Sequence, residues 1–293
     1  MKHSIKSPDL NTNLSNPNKY LSTKDFLVSK ESFDLIFGNI EGLLKTQPHP
    51  ITQELGKYYA TEEYISHTDN KKGLLSWVYQ LVKKWSIKQK TRLIFEQNDG
   101  VGTVLDVGAG TGDFLRSAKV EGWEIYGVEP NSKASSLASK KGVSLNGSLY
   151  EFKERQFDVI TMWHVLEHIP NLEETIELLS TMVKPNGTLI IAVPNYKSFD
   201  AGYYKEFWAA YDVPRHLWHF TRDSIAELFQ KNFRLEKTKP MIFDSFYVSL
   251  LSEKYKSGSS FSLKGLGIGL VSNLKGMSTD QYSSHIYCLR KKK

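Results

Sequence analysis

The chain has 293 residues, of which 40% are hydrophobic, with a net charge of +6 and one cysteine, Cys288. That length and apolar content allow one full core with appendages, while a lone cysteine excludes an internal disulfide framework and any zinc site built on paired thiolates. No apolar run reaches the roughly 20 residues of a bilayer span, and the polar first 20 residues lack the apolar middle of a secretion signal, so a cytoplasmic protein is expected. Four positive charges come from Arg290, Lys291, Lys292 and Lys293. That is a basic tail and not a basic groove, and it makes no case for nucleic acid.

Residues 1–20, rich in Asn, Ser, Lys and Pro, read as a loose leader. Between residues 26 and 61, short apolar runs alternate with Pro48, Pro50 and Gly56, which predicts small irregular structure. An amphipathic linking helix is expected from about Asn70 to Asn98, with Leu74, Val78, Leu81 and Trp85 on one face. Lys83, Lys84, Lys88, Lys90 and Arg92 face away; a solvated face is the plain reading, and a contact with RNA or anionic lipid is the alternative. From 103 to 195 the pattern changes to short apolar runs separated by helix-length segments, the signature of βαβ units and a parallel sheet. Strands are predicted at 103–107, 124–128, 157–163 and 187–193, with a weaker one at 143–145. An aromatic-rich insertion occupies 196–220, followed by a helix over 222–230 and strands at 233–239 and 285–289. Cys288, in an apolar strand-like run, reads as inert core. The organisation predicted is a leader and front segment over 1–70, the linking helix over 71–100, and an α/β domain over 101–293.

The strongest chemical signal is Val104-Leu105-Asp106-Val107-Gly108-Ala109-Gly110-Thr111-Gly112-Asp113, a buried strand emptying into a glycine turn that opens a helix. Glycines there let backbone amides approach a ligand, and a helix N-terminus favours a negative group. About twenty residues on, Glu129 ends the second strand, where an acid accepts hydrogen bonds from the hydroxyls of an adenosine ribose. A dinucleotide fingerprint wants glycine at its sixth place, yet Asp113 stands there and Asp106 precedes the loop. This favours a methionine-bearing nucleoside, whose ammonium Asp106 would attract, over NAD.

With these residues in place, the chain resembles the class I S-adenosylmethionine-dependent methyltransferases, especially the group similar to ubiquinone-biosynthesis O-methyltransferases. The resemblance rests on Asp106 to Gly112, Gly127-Val128-Glu129-Pro130, Phe157-Asp158-Val159-Ile160 through His164-Val165-Leu166-Glu167-His168, and Lys184-Pro185-Asn186-Gly187 leading to Pro194-Asn195. It implies a Rossmann-like seven-stranded sheet with helices on both faces and one antiparallel strand near the end. It further implies S-adenosyl-L-methionine as cofactor, held by Asp106, Gly108, Ala109, Gly110 and Gly112 at the methionine part and by Glu129, Pro130 and Asn131 at the ribose. Ser148 and Leu149 would lie at the adenine edge, without the aspartate often found there. The segment from Gly38 to Pro48 resembles half of a zinc module without its cysteines.

The run His164 to His168 spells H-x-x-E-H, a zinc signature when it lies on a helix. Here it follows a strand directly and Pro170 follows closely, so no metal ligands are assigned. Ligands of open α/β sheets bind beyond the carboxyl ends of the strands, which places Trp163 and His164 at the cofactor. For His164, catalysis or acceptor binding, cofactor lining and structural packing all remain open. In the insertion, Tyr211, Arg215, His216 and Trp218 are candidates to line the acceptor pocket, with core packing as the other reading of the aromatics. His164 and His216 are the candidate general bases. The expected function is methyl transfer to a small molecule, with oxygen slightly favoured as acceptor. A non-catalytic nucleoside-binding scaffold and a nicotinamide oxidoreductase are the competing readings.

Overall fold

In the computed structural model, residues 18–50, 54, 56–59, 74–259 and 262–292 are described. The leader (residues 1–17) and the predicted helix start at Asn70 lie outside them. The first described elements are β1 (Lys19–Lys24), β2 (Ser32–Phe37) and β3 (Leu44–Gln47), paired antiparallel in that order. In β2, Phe33 and Leu35 are buried while Ser32 is exposed and Asp34 and Ile36 are half-buried, the two-residue period of a half-buried strand. The expectation of irregular structure over 26–61 is therefore corrected. The strands are short, and the sheet is completed by β8 (Trp218–His219), which pairs with β3 from far along the chain. Phe33, Leu35, Leu44 and Tyr58 share a core with Tyr204, Trp208, Tyr211 and Val213 of the insertion.

α1 (Leu74–Asn98) leads into the second sheet, whose strands are β4 (Thr103–Val107), β5 (Glu124–Val128), β6 (Phe157–Trp163), β7 (Val183–Pro194), β9 (Phe233–Pro240) and β10 (Ser284–Lys291). Their spatial order is β5-β4-β6-β7-β10-β9. The pairs among β4 to β7 are parallel, and β10 runs antiparallel to both β7 and β9. Alternate residues serve opposite faces: Leu105, Ile160, Leu189 and Leu289 join one core, Val104, Val159, Ile190 and Cys288 the other. The first face is covered by α4 (Leu172–Met182) and α6 (Arg222–Phe229), the second by α1, α2 (Asp113–Val120) and α3 (Ser132–Lys140). Helices on both faces of a Rossmann-like sheet are thus observed. Cys288 is fully buried, its thiol pushed up to about 11 by that burial, and it is inert.

The expected seventh strand is not formed. Residues 143–145 form no strand, and next to them lies the isolated parallel bridge Val128↔Asn146; beyond it the Glu151 carboxylate takes the backbone N–H groups of Gly147 and Ser148, both at 3.0 Å. The structure adds α5 (Phe199–Tyr204) inside the insertion and a helical pair, α7 (Asp244–Ser257) and α8 (Leu263–Thr279), between β9 and β10. No helix of the described residues is long and apolar enough to cross a membrane.

Candidate active site

The glycine loop leaves β4 where β5 and β6 flank it. Gly108 has φ 73°, and a Cβ there would lie 2.4 Å from the Val165 side chain. Gly110 has φ 54°, and nothing lies within 4 Å of where its Cβ would be. The first glycine is required by packing, the second keeps open space above the turn. The Gly108 and Ala109 N–H groups donate to Val128 O at 2.8 and 2.9 Å, so the turn is anchored to β5. Behind it, Asp113 pairs with Lys83 of α1 at 2.7 Å and with Lys141 at 2.6 Å, which clamps the loop between two helices.

Glu129 stands where the sequence places it. Its Oε2 accepts from Gly110 N at 2.8 Å and its Oε1 from Asn131 N at 2.9 Å. The Asn131 side chain caps α3 by accepting from Lys133 N and Ala134 N, so with Pro130 it fixes the carboxylate's direction. Ser148 caps the short turn Leu149–Phe152, and Leu149 packs against the main core.

Two opposite charges at this end of the sheet lack ion-pair partners among the described residues. Asp106 is 2% exposed and accepts one hydrogen bond, from Thr161 Oγ1 at 2.6 Å. Burial pushes its carboxyl up to about 7, against the pull of the Thr161 hydroxyl and the Lys90 ammonium. Lys90 of α1 holds its Nζ 4.3 Å above the Trp163 ring centroid. Burial lowers the Lys90 pKa, with Asp106 and Asp244 opposing it. The buried Trp163 Nε1 has no hydrogen-bond partner among the described residues.

His164 follows Trp163 with φ 56°, and its backbone N–H donates to Ala192 O at 2.9 Å. The ring, 35% exposed, lies 3.3 Å from Glu167 through Nδ1 and 3.1 Å from Asp244 through Nε2. Burial alone would lower its pKa; the two carboxylates outweigh it and push it up to about 10. Reciprocally, and against the effect of burial, His164 holds Glu167 down to about 2. With a carboxylate at each ring nitrogen His164 is held as an imidazolium at neutral pH, and neither nitrogen is free to take a proton.

Between α1 and the start of α7 lies an apolar cleft, walled by Val82, Trp85, Met241 and Phe243, with Lys90 and Asp244 also in its lining. Trp85 and Phe243 meet edge to face, ring centroids 5.2 Å apart. Sequence reasoning missed this cleft. Its one available signal was that Lys90 and Trp85 share a helix ending at the glycine strand; Asp244 gave none.

The insertion residues do not line this cleft. Arg215, 1% exposed, pairs with Asp25 at 2.9 Å and Asp212 at 2.7 Å and donates to Tyr58 O at 3.0 Å. Despite burial, the guanidinium holds Asp25 down to about 2. Tyr211 packs edge to face on Trp208 with centroids 4.9 Å apart, and Trp218 Nε1 donates to Ile169 O at 2.8 Å. His216 Nδ1 lies 2.8 Å from Ala210 O. None of the four lines the cleft: Tyr211, Arg215 and His216 are buried within the fold and Trp218 is half-buried. The H-x-x-E-H run is no α-helix: His164 leaves β6 in the left-handed region, and a single 3-10 turn, Leu166–His168, follows.

A family model described as a methyltransferase domain matches residues 79–236, more than half of the chain and the span that carries the glycine loop, Glu129 and His164. The chain belongs to the class I S-adenosylmethionine-dependent methyltransferases. The ubiquinone biosynthesis O-methyltransferase of Azoarcus sp. is 31% identical over 31% of this chain and 44% of its own length. That of Photobacterium profundum is 32% identical over 31% of this chain and 43% of its own. The match thus spans under half the length of these curated relatives. Among solved structures, the methyltransferase fold of magnesium protoporphyrin IX methyltransferase from Synechocystis PCC 6803, with bound SAH, is similar at 13% identity and a TM-score of 0.53, covering 80% of this chain and 97% of that one.

Proposed function

We propose that this methyltransferase transfers the methyl group of S-adenosyl-L-methionine to an oxygen of a small, largely apolar acceptor lying in the cleft between α1 and α7. The carrying observation is the pair of uncompensated charges beside the open glycine turn. Asp106 wants a cation and Lys90 an anion, and the methionine end of the cofactor is a zwitterion that offers both. A pyrophosphate would offer Asp106 only repulsion. Glu129, held at the turn by Gly110 and Asn131, faces the ribose hydroxyls, and Ser148 and Leu149 flank the adenine.

The cofactor supplies a methyl group already activated on sulfonium. What the chain adds is alignment and exclusion of water. Trp163 and His164 sit at the carboxyl end of β6, where the acceptor meets the methyl group. His164, its ring fixed between Glu167 and Asp244, holds that end of β6 in place for the acceptor. Trp85, Met241 and Phe243 shelter an apolar body. The same reading places the protein in the cytoplasm.

The test is calorimetric titration with S-adenosylmethionine and, separately, NADH. Binding of the former alone is expected, weakened by about 2–5 kcal/mol in Asp106→Ala and measurably in Glu129→Ala and Lys90→Met. NADH binding, or a folded protein that takes neither, would overturn the assignment.

A further inference from the structure

Behind His164, three side chains able to ligate a metal converge from two elements. Glu167 and His168 lie on the turn after β6, and His216 comes from the insertion just before β8. One ligand atom from each lies within 4.8 Å of the other two. His168 Nδ1 lies 3.0 Å from Arg215 O, and His216 Nδ1 lies 2.8 Å from Ala210 O. A carbonyl oxygen only accepts, so each ring donates its Nδ1–H there, and each neutral ring keeps its lone pair on Nε2. Tyr59 Oη also lies 3.1 Å from His168 Nδ1. The rings meet edge to face with centroids 4.6 Å apart.

The third group gives the site its chemical direction. Glu167 is 1% exposed, and neither carboxylate oxygen receives a hydrogen bond among the described residues. His164 Nδ1, 3.3 Å from Oε1, is close enough for an ion pair but is not aligned as a donor. The His164 charge balances the carboxylate, and its oxygens keep lone pairs free to ligate in a site closed to water. Two imidazoles that give Nδ1–H to backbone carbonyls and share a buried carboxylate form the arrangement a metal-binding histidine pair requires, because the outer hydrogen bond fixes tautomer and ring direction. Asp212 Oδ2, 4.0 Å from His216 Nε2, is a further oxygen at the rim.

We propose that Glu167, His168 and His216 bind one divalent transition-metal ion of the zinc class, which pins the insertion to the end of β6. Two nitrogens and one carboxylate oxygen suit zinc or cobalt, whereas magnesium and calcium prefer all-oxygen shells. The ligand set differs from the H-x-x-E-H reading: His164 turns toward Asp244 and is not a ligand, and His216 comes from 48 residues beyond His168 in the sequence. The ion's role is to join two parts of the fold, and no step of methyl transfer passes through it.

The experiment uses the full chain stripped with chelator and titrated with Co2+ under a visible spectrum. A saturable d–d band at one Co2+ per chain, displaced by Zn2+, is expected, together with a rise in Tm on adding Zn2+. His216→Ala and Glu167→Gln should each weaken Co2+ affinity by more than about tenfold, while His216→Ala still binds S-adenosylmethionine. The wild-type measurement stands by itself should a variant fail to fold. A folded wild-type chain with neither a saturable band nor a Zn2+ shift in Tm overturns the proposal, as does a band unchanged in both folded variants.

Discussion

The glycine-loop end of the large sheet and the interior of the insertion both bury charged side chains, and they treat them in opposite ways. In the insertion, Arg215 is saturated by Asp25, Asp212 and Tyr58 O, and Asp200 accepts from Trp208 Nε1, Ser272 Oγ and Ser283 Oγ at 2.7, 2.6 and 2.7 Å. At the loop, Asp106 has a single hydroxyl and Lys90 an aromatic face. Burial by itself does not mark a functional charge. Incomplete pairing does, because a fold that could satisfy its own groups has left these to a ligand.

The largest effect should come from breaking the saturated side. Arg215→Met leaves Asp25 and Asp212 without their cation, and a loss of about 3–5 kcal/mol in denaturant unfolding is expected. Where the variant remains folded, affinity for S-adenosylmethionine should change little; a large loss would show that the two regions are one energetic unit.

The second effect sharpens the unsaturated side. Since burial holds the free Asp106 carboxyl up at about 7, affinity for the cofactor's ammonium should climb as pH rises toward 7, by up to about tenfold per unit, and level off above it. Asp106→Asn should bind weakly with a flat profile, and a wild-type profile equally flat would refute the pairing. The same raised pKa acts on folding of the cofactor-free protein: the Asp106 contribution is complete below its unfolded value of about 4 and is lost as pH rises through 7.

The smallest effect concerns His164. Asp244→Asn removes one of the two carboxylates that lift its pKa to about 10, and a ring titration followed by NMR should show a fall of at least about one unit. His164 stabilises the fold fully below its unfolded value of about 6.5, and that contribution fades as pH rises through 10; in the variant the fade should be complete at a lower pH. An unmoved titration would assign the whole shift to Glu167.

The parallel strands, the glycine turn and Glu129 were legible because each is encoded within a dozen consecutive residues. The cleft was not. Lys90 reads as one more lysine on a basic helix face, and only the crossing of α1 over Trp163 gives it a different neighbour. α8 was hidden because Gly265, Gly267, Gly269 and Gly276 all argue against a helix by propensity; three of them, Gly265, Gly269 and Gly276, are buried, so packing overrides the local preference. The burial of Arg215 and His216 was not legible for a related reason. A cation among aromatics reads as a binding site until its carboxylate partner appears, and Asp25 lies 190 residues away.

That separation also bears on the order in which the molecule can be made. Strand β3 meets β8 through Leu44↔His219 and Lys45↔Trp218, so on the ribosome the first three strands emerge with an open edge and an uncovered apolar face while the whole first half of the large sheet is synthesised. Their closure is a late event of high contact order. Until residue 219 has left the exit tunnel, the β3 edge has no partner strand from β8.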